Sequence, residues 1–183
     1  ADNIASVSAY GQKAVVVKGD YADAKKVAAD FTTKNNILMT IGNTDPLRVE
    51  SKKTWVYNWL RETGELPTVY IQALSGGTGP IAVEKALDEL EQIGMVKQRP
   101  RYISVQPSLC DPMTQAWEKA KATNFPEGWQ NDYPKLKNPQ TIVQTLGTGI
   151  PGTYPLIADI TKKSNGEIIS FDENRLADVA KYI

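Results

Sequence analysis

The chain has 183 residues, 41% hydrophobic and 23% charged, a composition that supports a folded core and argues against a disordered or fibrous chain. Its 21 lysines and arginines balance its 21 aspartates and glutamates, so no excess positive charge favours phosphodiester backbones, and a nucleic-acid partner is not expected. Histidine is absent, which removes Ser-His-Asp hydrolysis, Cys-His proteolysis and the usual His-containing zinc sites; no metal site is expected.

The opening ADNIASVSAYGQK lacks the basic start and apolar middle of a signal peptide, and no apolar run is long enough to span a bilayer. The expected location is cytoplasmic, with no membrane partner. A helix pattern covers NIASVSAYG at the start. Ala14 to Val17 read as a Val-rich strand, Asp20 as an N-cap, and Tyr21, Ala24, Val27, Ala28 and Phe31 as the stripe of a helix. Ile37 to Ile41 then read as a second strand, which makes a β-α-β unit. In ESKKTWVYNWLRETGELP, Trp55, Val56, Trp59 and Leu60 share one helical face, and Gly64 stands where a helix ends.

Val69 to Leu74 form the third expected strand. Ser75-Gly76-Gly77-Thr78-Gly79 follows, and then a helix opened near Pro80, with Ile81, Ala82, Ala86, Leu87, Leu90 and Ile93 as its buried stripe and Gly94 as its stop. Tyr102 to Val105 read as a fourth strand. Met113 to Ala122 read as a helix with Ala116, Trp117 and Ala120 inward, and Cys110 as a small core residue. Lys121 to Gln140 lapse into a loop holding Phe125, Trp129 and Tyr133; so long a loop is usually functional or poorly ordered. A helix through Leu156 to Ile160, a cap at Gly166, a short strand at Ile168 and Ile169, and a helix opened by Asp172 complete the chain. Strands alternating with helices imply an α/β fold with a mostly parallel sheet flanked by helices. Because the chain starts and stops within helix patterns, it reads as a fragment of a longer protein.

A parallel strand entering a glycine-rich turn and then a helix directs free N–H groups and the positive end of the helix dipole at one point. Glycines allow close approach, and Ser75 and Thr78 add hydroxyl donors. SGGTG is therefore a candidate phosphate site, although a tight turn that binds nothing has the same pattern. It is not a P-loop, since no lysine follows Gly79. It is not G-x-G-x-x-G either, and the next strand ends in Val105-Gln106-Pro107 with no acidic ribose partner.

TIGNTDPLRVESKKT, residues 40 to 54, followed by SGGTG, resembles the pyridoxal-phosphate enzymes of the tryptophan-synthase β-subunit type, and within them the threonine synthases. Pro46, Arg48, Glu50, Lys53 and Thr54 keep the family's N-S-x-N-P-x-R-x-E-G-x-K-T segment. YGQKAVVVKGDYADAKKVA, IGMVKQRPRYISVQP and GTGIPG continue the likeness in the family's order. The resemblance implies an incomplete portion of the fold type II (tryptophan synthase β-like) architecture. Residues 1–45 would be the C-terminal part of its small domain, and 46–183 part of its large cofactor-binding domain.

It further implies pyridoxal 5'-phosphate as cofactor, its phosphate cradled by Ser75, Gly76, Gly77, Thr78 and Gly79, with Thr148, Gly149 and Ile150 beside the ring. Arg48, Asn43 and Ser75 would hold the substrate's phosphate, a task for which a guanidinium fork is suited. The alternatives are a surface or interdomain ion pair of Arg48 with Glu50 or a neighbour, and a plain turn at Thr148 to Ile150. The implied reaction is that of a phosphate-eliminating carbon-oxygen lyase of threonine biosynthesis: O-phospho-L-homoserine and water give L-threonine and phosphate. Gly42, Asn43, Asp45 and Ser75 depart from the family's common residues on the substrate-phosphate side. Cysteate synthase, acting on O-phospho-L-serine and sulfite, fits the same residues. No lysine here has the family's S-x-K-x-R context, so the Schiff-base lysine is expected upstream, no catalytic residue is assigned in this chain, and the chain alone is expected to be inactive. A homodimer is the expected assembly. Two readings outside catalysis stay open: a module binding some other phosphorylated ligand, and an interaction domain using Trp55, Tyr57 and Trp59.

Overall fold

The computed structural model describes residues 2–10, 13–40 and 42–182 and divides into two compact units, Ala1–Met39 and Thr40–Ile183. The first unit holds α1 (Asp2–Ser8) and α2 (Tyr21–Lys34). Asp20 caps α2 as its position predicts: its carboxylate accepts from the N–H of Ala22 at 2.8 Å and of Asp23 at 3.1 Å, and the Asp23 carboxylate accepts from the Asp20 N–H at 3.0 Å. The two expected strands do not form. Residues 14–17 are irregular, as are 37–40, and Ile41 lies outside the described residues, so the β-α-β unit is corrected to a helix between irregular segments. A strand exists only where a neighbour takes up its N–H and C=O groups. Here Val15 and Val16 stay 71% and 70% exposed, and no residue of α2 is buried, Tyr21, Val27 and Phe31 included.

In the second unit, α3 (Pro46–Lys52) and α4 (Thr54–Thr63) lead to β1 (Val69–Ala73), α5 (Thr78–Gln92), β2 (Arg101–Pro107), α6 (Pro112–Ala122), α7 (Tyr154–Lys163), β3 (Glu167–Phe171) and α8 (Leu176–Val179). The strands are parallel in the order β1-β2-β3, with Ile71 opposite Ile103 and Val105 opposite Ile169. This is the expected α/β architecture with a parallel sheet flanked by helices. Two core clusters hold it together. Tyr70 and Tyr102 pack with Val83, Ala86, Leu87 and Leu90 of α5 and Val56 of α4, while Leu74, Met113, Trp117, Trp129, Tyr154, Ile157 and Ile168 form the other. Strand alternation explains the division of faces: Tyr102, Ser104 and Gln106 are buried, whereas Val69, Ile71 and Ile169, on the other parity, are 43%, 67% and 42% exposed.

Several side chains depart from their expected places. Trp55 is exposed beside α4's buried Val56, with the Lys52 ammonium 5.1 Å from its ring centre. The buried stripe of α5 includes Val83, while Ile93, at the C-cap, is exposed. The left-handed residue after α7 is Asn165 (φ 52°) rather than Gly166; Gly166 is needed because a Cβ there would strike the Tyr102 carbonyl. Asp172 opens a 3₁₀ turn, Glu173–Arg175, ahead of α8. The aromatic loop is a built part of the core: Phe125 and Trp129 lie 4.8 Å apart between ring centres, Trp129 meets Trp117 at 5.9 Å, and Tyr133 meets Tyr154 at 5.4 Å. Cys110 is buried, as expected.

Candidate functional site

β1 ends at Ala73 and α5 begins at Thr78, so Ser75-Gly76-Gly77-Thr78-Gly79 forms the turn between them. Gly76 through Pro80 are buried. Gly77 is the N-cap of α5 with φ 75°, a left-handed conformation open to glycine at little cost, and no side chain caps the helix. Among the described residues, the N–H groups of Ser75, Gly76, Gly77, Thr78 and Gly79 donate to no partner in the protein. Buried N–H groups left in that state are rare, because each costs about 1–3 kcal/mol when unpaired. Four such buried groups in succession, preceded by that of half-buried Ser75, at the positive end of a 15-residue helix make a strong anion-binding arrangement.

The glycines are required by different neighbours. A Cβ at Gly76 would fall on the Asn43 side-chain amide, one at Gly77 would lie 2.7 Å from Ile157 Cδ1, and one at Gly79 would lie 2.6 Å from Gln72 Oε1. Hydroxyls fix the rest of the turn. Thr78 Oγ1 donates to Asn43 Oδ1 at 2.8 Å, Ser75 Oγ and Thr148 Oγ1 share a 2.7 Å hydrogen bond, and Thr153 Oγ1 donates to the Gly76 carbonyl at 2.8 Å. Gly149 is held against the segment before it, since the Leu136 N–H donates to its carbonyl at 2.9 Å and a Cβ would strike the Leu136 carbonyl. A phosphate group fits this cup: the donors are backbone N–H groups and hydroxyls, and the glycines leave them uncovered. Pyridoxal phosphate is a group of that kind.

The structure thus joins Asn43, Ser75, Gly76, Gly77, Thr78, Gly79 and Thr148, with Gly149 next in the chain. Ile150 is 40% exposed and makes no polar contact with the loop. Arg48 lies on the exposed side of α3, and its guanidinium makes no ion pair among the described residues. The alternative pairing of Arg48 with Glu50 is not formed, because Glu50 is engaged elsewhere. Lys53 Nζ contacts Glu50 Oε2 at 2.6 Å and Glu89 Oε2 at 2.6 Å, Lys85 bridges the same two carboxylates, and Tyr57 donates to Glu89 at 3.1 Å. This network ties α3 to α5. Its hydrogen bonds from Lys53 and then Lys85 hold the Glu89 carboxyl down to about 2 and raise both lysines above their ordinary range. Glu50, Lys53 and Thr54 are therefore structural here, with Thr54 Oγ1 donating to the Ser51 carbonyl at 2.8 Å.

Thr153 and Ile157 are loop contacts that sequence reasoning did not pick out. A Thr followed by Tyr154-Pro155 is an N-cap signal, but the hydroxyl's target lies 77 residues away in the chain. Gln106 is another: it is fully buried, and its Oε1 accepts from the N–H groups of Met113 at 2.8 Å and Thr114 at 3.1 Å, capping α6 in place of Asp111. Glu173, 2% exposed, accepts from the Leu109 N–H at 3.0 Å, Thr141 Oγ1 at 2.9 Å and the Ile142 N–H at 2.7 Å. Burial pushes its carboxyl up, yet these hydrogen bonds outweigh burial and leave it below the usual range. Among the described residues no helix is long and apolar enough to cross a membrane.

The sequence matches relatives at low identity. It is 23% identical to the threonine synthase of Methanocaldococcus jannaschii over 186 residues, covering 98% of this chain and 42% of that protein. It is 29% identical to the cysteate synthase of Methanothrix thermoacetophila over 175 residues, covering 91% and 40%. To the threonine synthase of Mycobacterium tuberculosis (strain ATCC 25618 / H37Rv) it is 20% identical over 177 residues, covering 94% and 43%. The chain spans about two fifths of the length of these curated relatives. The family model for pyridoxal-phosphate dependent enzymes matches residues 1–183. A loop whose geometry fits a phosphate, on a parallel α/β sheet, and a family match over the full sequence lead to one conclusion: this chain belongs to the pyridoxal-phosphate-dependent enzyme family.

Proposed function

We propose that this chain is the phosphate-binding portion of a threonine synthase, a cytoplasmic phosphate-eliminating lyase that turns O-phospho-L-homoserine and water into L-threonine and phosphate. The observation that carries the reading is the run of five unpartnered N–H groups, from Ser75 to Gly79, at the start of α5. They bind the cofactor's phosphate, which the helix dipole favours as a dianion, and Ser75 and Thr148 present hydroxyls at the rim. Once bound, the cofactor supplies an electron sink for chemistry at the substrate's amino-acid carbons. Arg48, an exposed guanidinium with no ion pair among the described residues, clamps the substrate's phosphate. Asn43 sits between the two tasks, bonded to Thr78 and packed on Gly76. The lysine that carries the cofactor and shuttles protons belongs to the remainder of the enzyme. In this reading residues 1–45 belong to the small domain and 46–183 to the large one, and the working assembly is a homodimer.

A cysteate synthase acting on O-phospho-L-serine and sulfite is the second reading. The higher identity to the Methanothrix relative favours it, and the departures at Gly42, Asn43, Asp45 and Ser75 weaken the claim of O-phosphohomoserine without selecting its rival. The test is phosphate release by the full-length gene product with pyridoxal phosphate, given each substrate in turn. Turnover of O-phosphohomoserine alone supports threonine synthase, turnover of only O-phosphoserine with sulfite moves the assignment, and silence with both refutes the two readings. In the active pairing, Arg48→Lys should raise KM about tenfold or more while largely sparing kcat, through loss of the two-pronged phosphate contact.

A further inference from the structure

Thr153 stands at the N-cap of α7, where a threonine hydroxyl ordinarily accepts from its own helix's free N–H groups. It does not do so here: α7 has no side-chain cap, and the hydroxyl instead donates to the Gly76 carbonyl at 2.8 Å, with Thr153 only 7% exposed. The Gly76 carbonyl and the Gly77 N–H belong to one peptide unit, and no described peptide bond is cis. In a trans peptide these two groups point in opposite directions. A hydroxyl that holds the carbonyl on the α7 side therefore turns the Gly77 N–H away from α7, and that N–H is one of the five without a protein partner. The glycines on both sides of this peptide otherwise leave it free to rotate. Ile157, one turn further along α7, closes on Gly77 from the same side.

We infer that Thr153 is a positioning residue for the phosphate cup: its hydroxyl selects the orientation of the Gly76–Gly77 peptide in which the Gly77 N–H donates to the bound phosphate. The inference rests on the reading of SGGTG as the cofactor's phosphate site. It assigns Thr153 no contact with the cofactor, so its signature is a loss confined to ligands that carry a phosphate.

The test compares the full-length protein with Thr153→Val, Thr153→Ala and Thr153→Ser, titrating each with pyridoxal 5'-phosphate and with pyridoxal and following the change in absorbance. Wild type is expected to bind the phosphate form far more tightly. Thr153→Val and Thr153→Ala should weaken the phosphate form roughly tenfold, the scale of one oriented hydrogen bond, and leave pyridoxal unchanged, while Thr153→Ser restores wild-type affinity. Inorganic phosphate should compete with the cofactor less well in the Val and Ala variants by the same factor. Unchanged discrimination in Thr153→Val or Thr153→Ala would overturn the inference while leaving the phosphate site intact, as would an equal loss for both ligands. If wild type itself does not distinguish the two forms, the reading of SGGTG fails and this inference with it. Should Thr153→Val not fold, the comparison of Thr153→Ala with Thr153→Ser decides alone.

Discussion

Gly64 and Gly77 have nearly the same backbone, φ 77° and φ 75°, in very different surroundings. Gly64 ends α4, and a Cβ there would meet nothing within 4 Å; at Gly77 it would lie 2.7 Å from Ile157 Cδ1 and 2.8 Å from Ile157 Cγ1. Placing an L-residue in the left-handed region costs about 1–2 kcal/mol at either position. Ile157 is fully buried in the cluster with Leu74, Met113 and Tyr154, so it cannot swing clear, and overpacking adds about 1–3 kcal/mol at Gly77 alone. Gly64→Ala should therefore destabilise by about 1–2 kcal/mol and Gly77→Ala by about 2–5 kcal/mol.

Urea unfolding followed by tryptophan fluorescence measures both, since all four tryptophans of this chain lie beyond residue 40. In wild type, Ile157→Val should cost about 0.5–1.5 kcal/mol for the lost methyl. Combined with Gly77→Ala it should cost less, because Cδ1, the nearer of the two clashing atoms, is then gone, and the cycle should show favourable coupling. If Gly77→Ala costs no more than Gly64→Ala, or the double variant is simply additive, the packing of α7 on the loop has been misjudged.

Other consequences can be checked separately. Glu173→Gln replaces one carboxylate oxygen with an NH₂ facing donors, which leaves at least one of the Leu109, Thr141 and Ile142 contacts unmade; destabilisation of about 2–4 kcal/mol is expected, with faster hydrogen exchange at Leu109 or Ile142 according to which way the amide turns, and unchanged exchange at both would contradict it. The Glu89 carboxyl titrates near 2 in the folded chain against an ordinary 4.5, so its contribution is fully present above pH 4.5 and disappears as pH falls towards 2. The α3–α5 junction should loosen across that window, and the loosening should be smaller in the pH titration of Glu89→Gln, where only Glu50 still pairs with the two lysines, read through Trp55 and Trp59 fluorescence. Burial, reinforced by Asp111 and Glu173, pushes the Cys110 thiol up to about 11; a disulfide reagent at pH 8 should modify it only after unfolding, and immediate reaction in the native protein would refute its burial.

Much of this molecule could be read from local pattern. Asp20, Gly64 and Gly94 mark helix ends through short-range chemistry, and Pro80 falls within the first turn of α5. The parallel sheet follows from strands alternating with amphipathic helices, and SGGTG between β1 and α5 announces an anion cup because strand, glycines and helix are consecutive in the chain.

What the sequence determined by itself were features whose signals lie within a few residues: helices, caps, the apolar segments that become β1, β2 and β3, and the glycine loop. What tertiary structure decided was partnership at a distance. Val15 to Val17 have strand composition, but a strand needs a neighbour's backbone, and none is supplied to them within their unit. Phe125, Trp129 and Tyr133 sit in an irregular stretch whose burial depends on Trp117 and Tyr154 arriving from other elements. Glu50 and Lys53 belong to a family motif and pair with each other, yet each also has a partner on α5. Thr153 has the sequence mark of a helix cap and spends its hydroxyl on Gly76 instead. A hydrogen bond or a packed methyl depends on positions in space, and contacts between separate elements leave no periodicity in the chain to read.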